Sequence, residues 1–160
     1  MNALMKQVTT AVPGVAMPRV VFYQMPPSAH WPAVAQLVAS LLSHGKLSVI
    51  VSSDEEARHL SRALWALPPS IFVPHGIAGD DADDRLDPVV ISIGVPAAER
   101  PVVIQASVSP TGALCTAELI AETVPGDERL REASRKRFKA YKDSGLKPCF
   151  VSWEVWASAI

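Results

Sequence analysis

Short apolar runs of strand length alternate with longer segments of helical periodicity through the first half of the chain. The runs RVVFY at 19–23 and LSVIV at 47–51 are rich in β-branched residues and are typical of buried strands. Segments 31–44 and 53–65 place apolar residues at helical spacing, and Ser53 before three acidic residues marks a helix start. An order of strand, helix, strand, helix predicts a parallel sheet with helical crossovers.

The second half of the chain continues the pattern with shorter strands. We predict strands at 71–73, 89–93 and 102–105, and 149–153 is either an edge strand or part of a tail. Segment 117–123 is ambiguous, because its alternation favours a strand while its Ala, Glu and Leu content permits a helix. The expected fold class is therefore α/β, a three-layer Rossmann-like fold with a mostly parallel open sheet and helices on both faces.

Length and composition indicate a single globular domain. With 160 residues, of which 49% are hydrophobic and 19% charged, the chain can bury a continuous core. We divide it into a flexible lead-in at 1–18, one domain at 19–153 and a tail at 154–160. No apolar run reaches the roughly 18 residues that a membrane span needs, and nothing resembles a signal peptide. Because the two cysteines lie outside any CxxC or Cys/His cluster, we expect a soluble cytoplasmic protein with free thiols.

Motifs for nucleotide binding and nucleophilic catalysis are missing from the sequence. No GxGxxG follows the first strand, and there is no Walker-type phosphate loop and no GxSxG. The aspartate-rich stretch at 80–87 lacks the central glycine and terminal glutamate of a calcium loop. His75 is either a catalytic base or a turn histidine bound by the backbone, and the second interpretation is favoured. We therefore expect a non-catalytic binding module without a cofactor or a metal ion.

The last third of the chain carries a concentrated positive charge. There are 7 basic and 13 acidic side chains through residue 128, and 8 basic and 3 acidic ones from residue 129 onward. Segment 124–146 predicts one helix that starts at Pro125 and ends at Gly145. Spacings of three and four residues place a stripe of cations beside Phe138, namely Arg131, Arg135, Lys139 and Lys142.

The cationic stripe is compatible with several ligands. It suits an acidic peptide, a phosphate backbone or a terminal carboxylate, and a merely solvated helix is an equal alternative. Direct binding of single-stranded nucleic acid by residues 129–142 is a second hypothesis. Against it, Phe138 alone lies beside the stripe, whereas single-strand binders interleave several aromatic side chains for stacking.

Two large aromatic residues, Trp65 and Phe72, flank a Pro-Pro turn in the middle of the chain. Residues of this size are usually at least half buried in a core. The alternative is that they form an exposed apolar contact for a partner protein.

Three blocks of sequence together resemble a known family. They are VFYQM near the start, DEEARHLSRALWALPPSIFVPHGIAG in the middle and VPGDERLREASRKRFKAYKDSG near the end. In order and spacing they resemble the chi subunit of bacterial DNA polymerase III holoenzyme over about residues 19–153. The resemblance implies a non-catalytic clamp-loader accessory protein with a Rossmann-like fold. It also implies binding to the psi subunit and to the acidic C-terminal tail of single-stranded-DNA-binding protein, and hence an indirect association with single-stranded DNA.

The resemblance further implies two sets of binding residues. Those for the acidic tail are Val124, Arg131, Arg135, Phe138, Lys139 and Gly145. Those for the psi subunit are Trp65, Phe72, Pro74 and His75. The chain departs from the family at two points, since it has aspartates at 80–87 in place of a loop with glycine and arginine, and Phe138 in place of tyrosine.

Overall fold

Seven strands form a single open sheet in the computed structural model, which describes residues 17–83, 85–96, 99–110 and 112–158. The strands are β1 (Arg19–Gln24), β2 (Leu47–Val51), β3 (His75–Ile77), β4 (Val89–Ile93), β5 (Val102–Gln105), β6 (Leu119–Val124) and β7 (Cys149–Val151). Their order across the sheet is β3-β4-β2-β5-β6-β1-β7, and every described strand pair is parallel.

Helices cover both faces of the sheet. They are α1 (His30–Leu41), α2 (Asp54–Trp65), α3 (Glu132–Asp143) and α4 (Trp153–Ser158), with short 3-10 turns at Leu42–His44 and Glu128–Leu130. Residues of α1, α2 and α4 share one core cluster with the sheet, and residues of α3 share the other. The predicted three-layer Rossmann-like fold is confirmed.

Alternating side chains of β1 divide between the two core clusters. Val21 and Tyr23 pack in the larger cluster, under α1, α2 and α4. Val20 and Phe22 lie in the second cluster, which includes Tyr141 of α3. Because neighbouring residues in register point to the same side of a sheet, this second side is called the α3 face.

The strands predicted at 89–93 and 102–105 are confirmed within the same bounds as β4 and β5. The ambiguous segment 117–123 contains most of strand β6, which lies between β5 and β1. All six residues of β6 are buried, and a parallel strand with neighbours on both sides is covered on both faces. The strand interpretation of this segment is therefore confirmed for residues 119–123.

The strand predicted at 71–73 is wrong by several residues. The structure places β3 after it, where His75 pairs with Val89 of β4. Pro74 has no N–H to donate, so the hydrogen-bonded ladder begins only beyond it. Gly76, the central residue of β3, lies on the α3 face, where a Cβ would lie 2.5 Å from the Cα of Ala82.

The helix predicted at 124–146 is wrong in its first turns. Val124 is the last residue of β6, and α3 begins only at Glu132 after the 3-10 turn. A close approach between distant backbones explains the delay, because any Cβ at Gly126 would overlap the carbonyl group of Pro26. The chain must pass this contact before it can turn into a helix.

The two ends of the chain complete the description. Residues 1–16 of the lead-in predicted at 1–18 lie outside the described residues. The tail predicted at 154–160 differs from the structure, because its first residues belong to α4. Trp156 is only 6% exposed, and its indole Nε1 donates to the carbonyl oxygen of Gln24 at 2.8 Å. Packing of this indole on β1 makes α4 part of the domain.

Candidate functional site

Helix α3 is joined to the sheet by a buried ion pair. The side chains of Arg137 and Glu122 are 7% and 2% exposed. The guanidinium donates through Nε to Oε1 at 2.7 Å and through Nη2 to Oε2 at 2.6 Å, which is the two-pronged geometry of a strong arginine–carboxylate pair. The hydroxyl of Tyr141 donates to the same Oε2 at 2.8 Å. Three hydrogen bonds therefore fix α3 on β6.

The network around the ion pair extends into the loop before β6. Arg137 Nη1 donates to the carbonyl oxygen of Gly112 at 2.9 Å, and the N–H of Cys115 donates to the Tyr141 hydroxyl at 3.0 Å. Burial, aided by the Glu122 carboxylate, raises the pKa of the Cys115 thiol to about 12. Burial and the same carboxylate raise the pKa of Tyr141 above its usual value. Both groups are therefore neutral at physiological pH.

Sequence patterns do not predict this network. Arg137 is one of the eight basic residues from residue 129 onward, and Glu122 lies in a run that is otherwise apolar except for Thr123. A charged residue in a strand with both faces covered is a signal that a partner must exist, because an unpaired buried charge is very costly. The pattern does not tell which cation provides it.

One side of α3 carries exposed cations. Arg135, Lys139 and Lys142 are exposed, and Phe138 lies half-buried beside them. The Phe138 ring contacts Phe22 of β1, with ring centroids 5.0 Å apart. We call these four α3 residues the cationic flank.

Arginines of the predicted stripe differ in what they contact. Arg135 has a side chain that is 63% exposed, and a carboxylate oxygen of Glu128 lies 3.9 Å away. Arg131 is half-buried and turns back, donating to the carbonyl oxygens of Pro125 at 2.9 Å and Gly126 at 3.2 Å. In this structure Arg131 therefore supports the connection from β6 to α3, and Arg135 extends into solvent.

Val124 and Gly145 are the other two residues predicted to bind the acidic tail, and they lie before and after α3. Val124 is 7% exposed at the carboxyl end of β6, before the helix. Gly145 follows the helix and has a φ of 91°, in the left-handed region where glycine is favoured. A helix of twelve residues is about 18 Å long, so the two positions border the cationic flank at its two ends.

A groove opens beside Gly145, at the amino-terminal end of β1. Its volume is about 370 Å³, and its lining includes Met17, Arg19, Val20, Leu146, Lys147 and Cys149. The groove lies on the side of α3 where β1 meets the edge strand β7. It provides a recess next to the carboxyl-terminal end of α3.

The residues predicted to contact a psi subunit form an exposed aromatic surface. Trp65 and Phe72 are 63% and 64% exposed, so their assignment to the core is wrong. Their ring centroids are 5.9 Å apart, and the ring of His75 lies 5.2 Å from that of Trp65. With half-buried Pro74 these residues make up the aromatic patch, which lies at the end of α2 and beside the edge strand β3.

His75 has hydrogen-bond partners on both ring nitrogens. Nδ1 lies 2.9 Å from the carbonyl oxygen of Val73, and Nε2 lies 2.8 Å from the hydroxyl of Ser61. One nitrogen is bound to backbone, as expected for a turn histidine, although the residue itself begins β3. The two contacts fix the orientation of the imidazole beside the ring of Trp65.

The aspartate-rich stretch folds back on its own backbone. Asp81 accepts the N–H of Ile77 at 2.8 Å, and Asp87 accepts the N–H of Asp83 at 2.8 Å. These carboxylates stabilise consecutive turns between β3 and β4. Across the ranges that the structure describes, no group of three or more His, Cys, Asp or Glu side chains could hold a metal ion.

The crevice at the carboxyl ends of β2 and β5 is occupied by the protein's own carboxylate. Glu56 accepts the N–H of Ser52 at 2.7 Å and that of Val108 at 3.2 Å. In doubly wound sheets such N–H donors bind the phosphates of nucleotides. Here they stabilise the start of α2.

Among the described helices, none is both long and apolar enough to cross a bilayer.

Comparisons with known proteins identify the family of this chain. A family model described as DNA polymerase III chi subunit, HolC, matches residues 17–148. The DNA polymerase III subunit chi of Pseudomonas aeruginosa is 29% identical over 134 residues, covering 81% of this chain and 92% of that one. The subunit of the same name from Escherichia coli is 30% identical over 131 residues, covering 76% of this chain and 87% of that one.

A solved structure of a protein with a different name has the same fold. The C-terminal domain of the DEAD-box protein Dbp5 superposes with a TM-score of 0.59 at 13% identity, covering 88% of this chain and 94% of that one. At so low an identity the likeness concerns the fold alone. The family match instead includes both the segment that builds the aromatic patch and the segment that builds the cationic flank. This chain belongs to the family of DNA polymerase III chi subunits.

Proposed function

We propose that the chain is a non-catalytic accessory subunit of a cytoplasmic DNA polymerase III clamp-loader complex, and that it binds the acidic C-terminal tail of single-stranded-DNA-binding protein. The observation that carries the proposal is the cationic flank on a helix held by a buried ion pair. Such a helix presents its charges without having to be ordered on binding, which lowers the entropic cost of association.

The charges of the flank are available to an incoming carboxylate. The contact between Arg135 and Glu128 is 3.9 Å long and joins side chains that are 63% and 82% exposed, so it contributes little and is easily exchanged. Lys139 and Lys142 lie within one helical turn of each other on the same side. Half-buried Phe138 adds an apolar surface next to them for a terminal aromatic side chain.

Calorimetric titration with an acidic nonapeptide ending in Asp-Ile-Pro-Phe tests the proposal. We expect micromolar affinity that weakens with salt, since exposed charges are screened over about 10 Å at 0.1 M ionic strength. The same peptide without its terminal phenylalanine is the control and should bind more weakly. No binding of either peptide at low salt would mean that the family's fold is present here without this activity.

A naked oligonucleotide separates the proposal from direct binding of single-stranded nucleic acid. The flank supplies cations, but Phe138 is its one aromatic side chain and is partly covered by Phe22. Single-strand binders stack successive bases on several exposed rings. We expect weak binding to the oligonucleotide, and binding tighter than that of the acidic peptide would favour the alternative.

We propose further that the aromatic patch binds a psi subunit. Two exposed indole and phenyl rings beside an edge strand are the kind of surface that protein interfaces bury, because aromatic residues are enriched at interface hot spots. The patch and the flank lie at opposite ends of the strand order, β3 and β1–β7. The two partners can therefore be bound at the same time.

A further inference from the structure

An exposed phenylalanine lies on the edge strand next to the cationic flank. Phe150 is the central residue of β7 and is 54% exposed. Within the described chain β7 pairs with β1 alone, so it ends the sheet on this side. A large apolar side chain on a solvent-exposed edge strand is unfavourable unless something covers it.

The strand register fixes the side of the sheet on which Phe150 lies. It is the partner of Phe22, and Phe22 is on the α3 face. Phe22 is covered by α3, because its ring centroid lies 5.0 Å from that of Phe138 and 5.9 Å from that of Tyr141. Phe150 lies one strand further out. Phe138, Phe22 and Phe150 therefore form an apolar row that leads from the helix to the sheet edge.

The contacts of α3 show that its cationic flank faces the same edge of the sheet. Arg137 points towards β6, where it binds Glu122. Phe138 points the other way, towards β1. Residues Arg135 and Lys142 are three and four positions from Phe138 and so share its side of the helix. Exposed cations therefore lie on the side of α3 that faces β1 and β7, and Phe150 lies exposed on β7 on the same face of the sheet.

We infer that Phe150 is a contact residue for the last apolar side chain of an acidic peptide, so that the binding site extends from α3 to β7. This inference rests on the proposed function of the cationic flank. The occupant is an acidic peptide with an aromatic end because the surface between α3 and β7 combines exposed cations on the helix with an exposed apolar ring on the strand. A peptide of that composition matches both, whereas a purely acidic or purely apolar ligand matches only one.

The experiment combines two protein variants with two peptides in calorimetric titrations. The peptides are an acidic nonapeptide ending in phenylalanine and the same peptide ending in alanine. We expect Phe150→Ala to weaken binding of the first peptide about fivefold, as expected for a ring that is only partly buried in the complex. Binding of the alanine-ending peptide should change by less than about twofold. Phe150→Leu keeps an apolar side chain at this position and should retain most of the affinity.

A matched control removes a similarly exposed apolar side chain nearby. Val155 of α4 is 62% exposed, and α4 packs on the opposite face of the sheet from α3. We expect Val155→Ala to leave both affinities unchanged. Thermal unfolding of each variant verifies that the fold is intact.

The outcomes distinguish the inference from the proposed function. If the unaltered protein binds neither peptide, the proposed function and the inference both fail. If the unaltered protein prefers the phenylalanine-ending peptide and Phe150→Ala binds it equally well, the contact assigned to Phe150 is wrong while the proposed function stands. An equal loss for both peptides also overturns the inference, since it would show that Phe150 does not contact the terminal ring.

Discussion

The two edges of the sheet present opposite kinds of surface. At the β7 edge, exposed cations lie on a helix fixed by the buried pair of Arg137 and Glu122. At the β3 edge, Trp65 at the end of α2 and Phe72 in the loop that follows are exposed. Charge favours fast, salt-dependent binding of a flexible peptide, whereas exposed aromatic area favours a longer-lived interface. If both proposals hold, the partner at the β3 edge is bound for longer than the peptide at the β7 edge.

The largest expected effect comes from breaking the buried ion pair. Arg137→Met leaves the Glu122 carboxylate buried without its cation, and we expect it to lower the free energy of unfolding by about 3 to 5 kcal/mol. Urea denaturation followed by circular dichroism measures the change. Lys136→Met removes a cation whose side chain is 77% exposed and should change the stability by less than about 0.5 kcal/mol.

A double variant completes this test. Adding Glu122→Gln to Arg137→Met removes the unpaired charge and should recover part of the lost stability. A loss of less than about 1 kcal/mol in the single variant would contradict the role given to the pair, since the cationic flank would then have another support.

The second effect concerns the aromatic patch. Trp65→Ala should leave the free energy of unfolding nearly unchanged, because the side chain is 63% exposed. The same change should weaken binding to a purified psi subunit by about 2 kcal/mol, which is a typical hot-spot value. Affinity for the acidic nonapeptide should be unaltered. A variant that lost the peptide as well would show that the two surfaces are not independent.

A smaller effect is expected on the cationic flank. Arg135→Ala should weaken binding of the acidic nonapeptide about tenfold, or about 1.4 kcal/mol, and should flatten its salt dependence. Lys136→Ala removes the same charge from the far side of α3, where Lys136 pairs with Glu132 at 3.5 Å. Equal affinities for the two variants would show that charge alone, rather than position on the flank, attracts the peptide.

The smallest effect is a dependence on alkaline pH. Since burial raises the pKa of Cys115 to about 12 in the folded protein, the unfolded chain loses this proton at lower pH. Stability should therefore be complete below about pH 9 and should fall between pH 9 and 12, by about 1 kcal/mol at pH 10. Denaturation at several pH values should show a shallower decline for Cys115→Ala. An unchanged slope would assign the alkaline loss to Tyr141, whose pKa is also raised.

Local signals in the sequence were sufficient for much of the fold. Runs at 89–93 and 102–105 are rich in Val and Ile, and the strands have the predicted bounds. Ser53 caps α2 as predicted, because its hydroxyl accepts the N–H of Glu56 at 3.1 Å. In these segments the local preference and the tertiary environment agree.

Predictions failed where a distant contact determines the local structure. The start of α3 was placed too early because a proline followed by acidic residues resembles a helix start, whereas the contact of Gly126 with Pro26 delays it. The pairing of Glu122 with Arg137 depends on the faces that a strand and a helix turn to each other. The size of Trp65 predicts burial in the core, but its contacts with Phe72 and His75 leave it 63% exposed. The roles of the flank and the patch stay predictions.

The position of β1 has a consequence for how the chain is made. Its two neighbours in the sheet are β6 and β7, which lie a hundred or more residues later in the sequence. During synthesis, β1 must therefore wait, unpaired, until residues 119–124 emerge from the ribosome. Pairings over such long separations form slowly and leave an apolar segment open to aggregation in the meantime. Among the described strands, a nascent chain that stops before residue 119 has none to place beside β1, so this half of the domain is completed only after about a hundred further residues have been made.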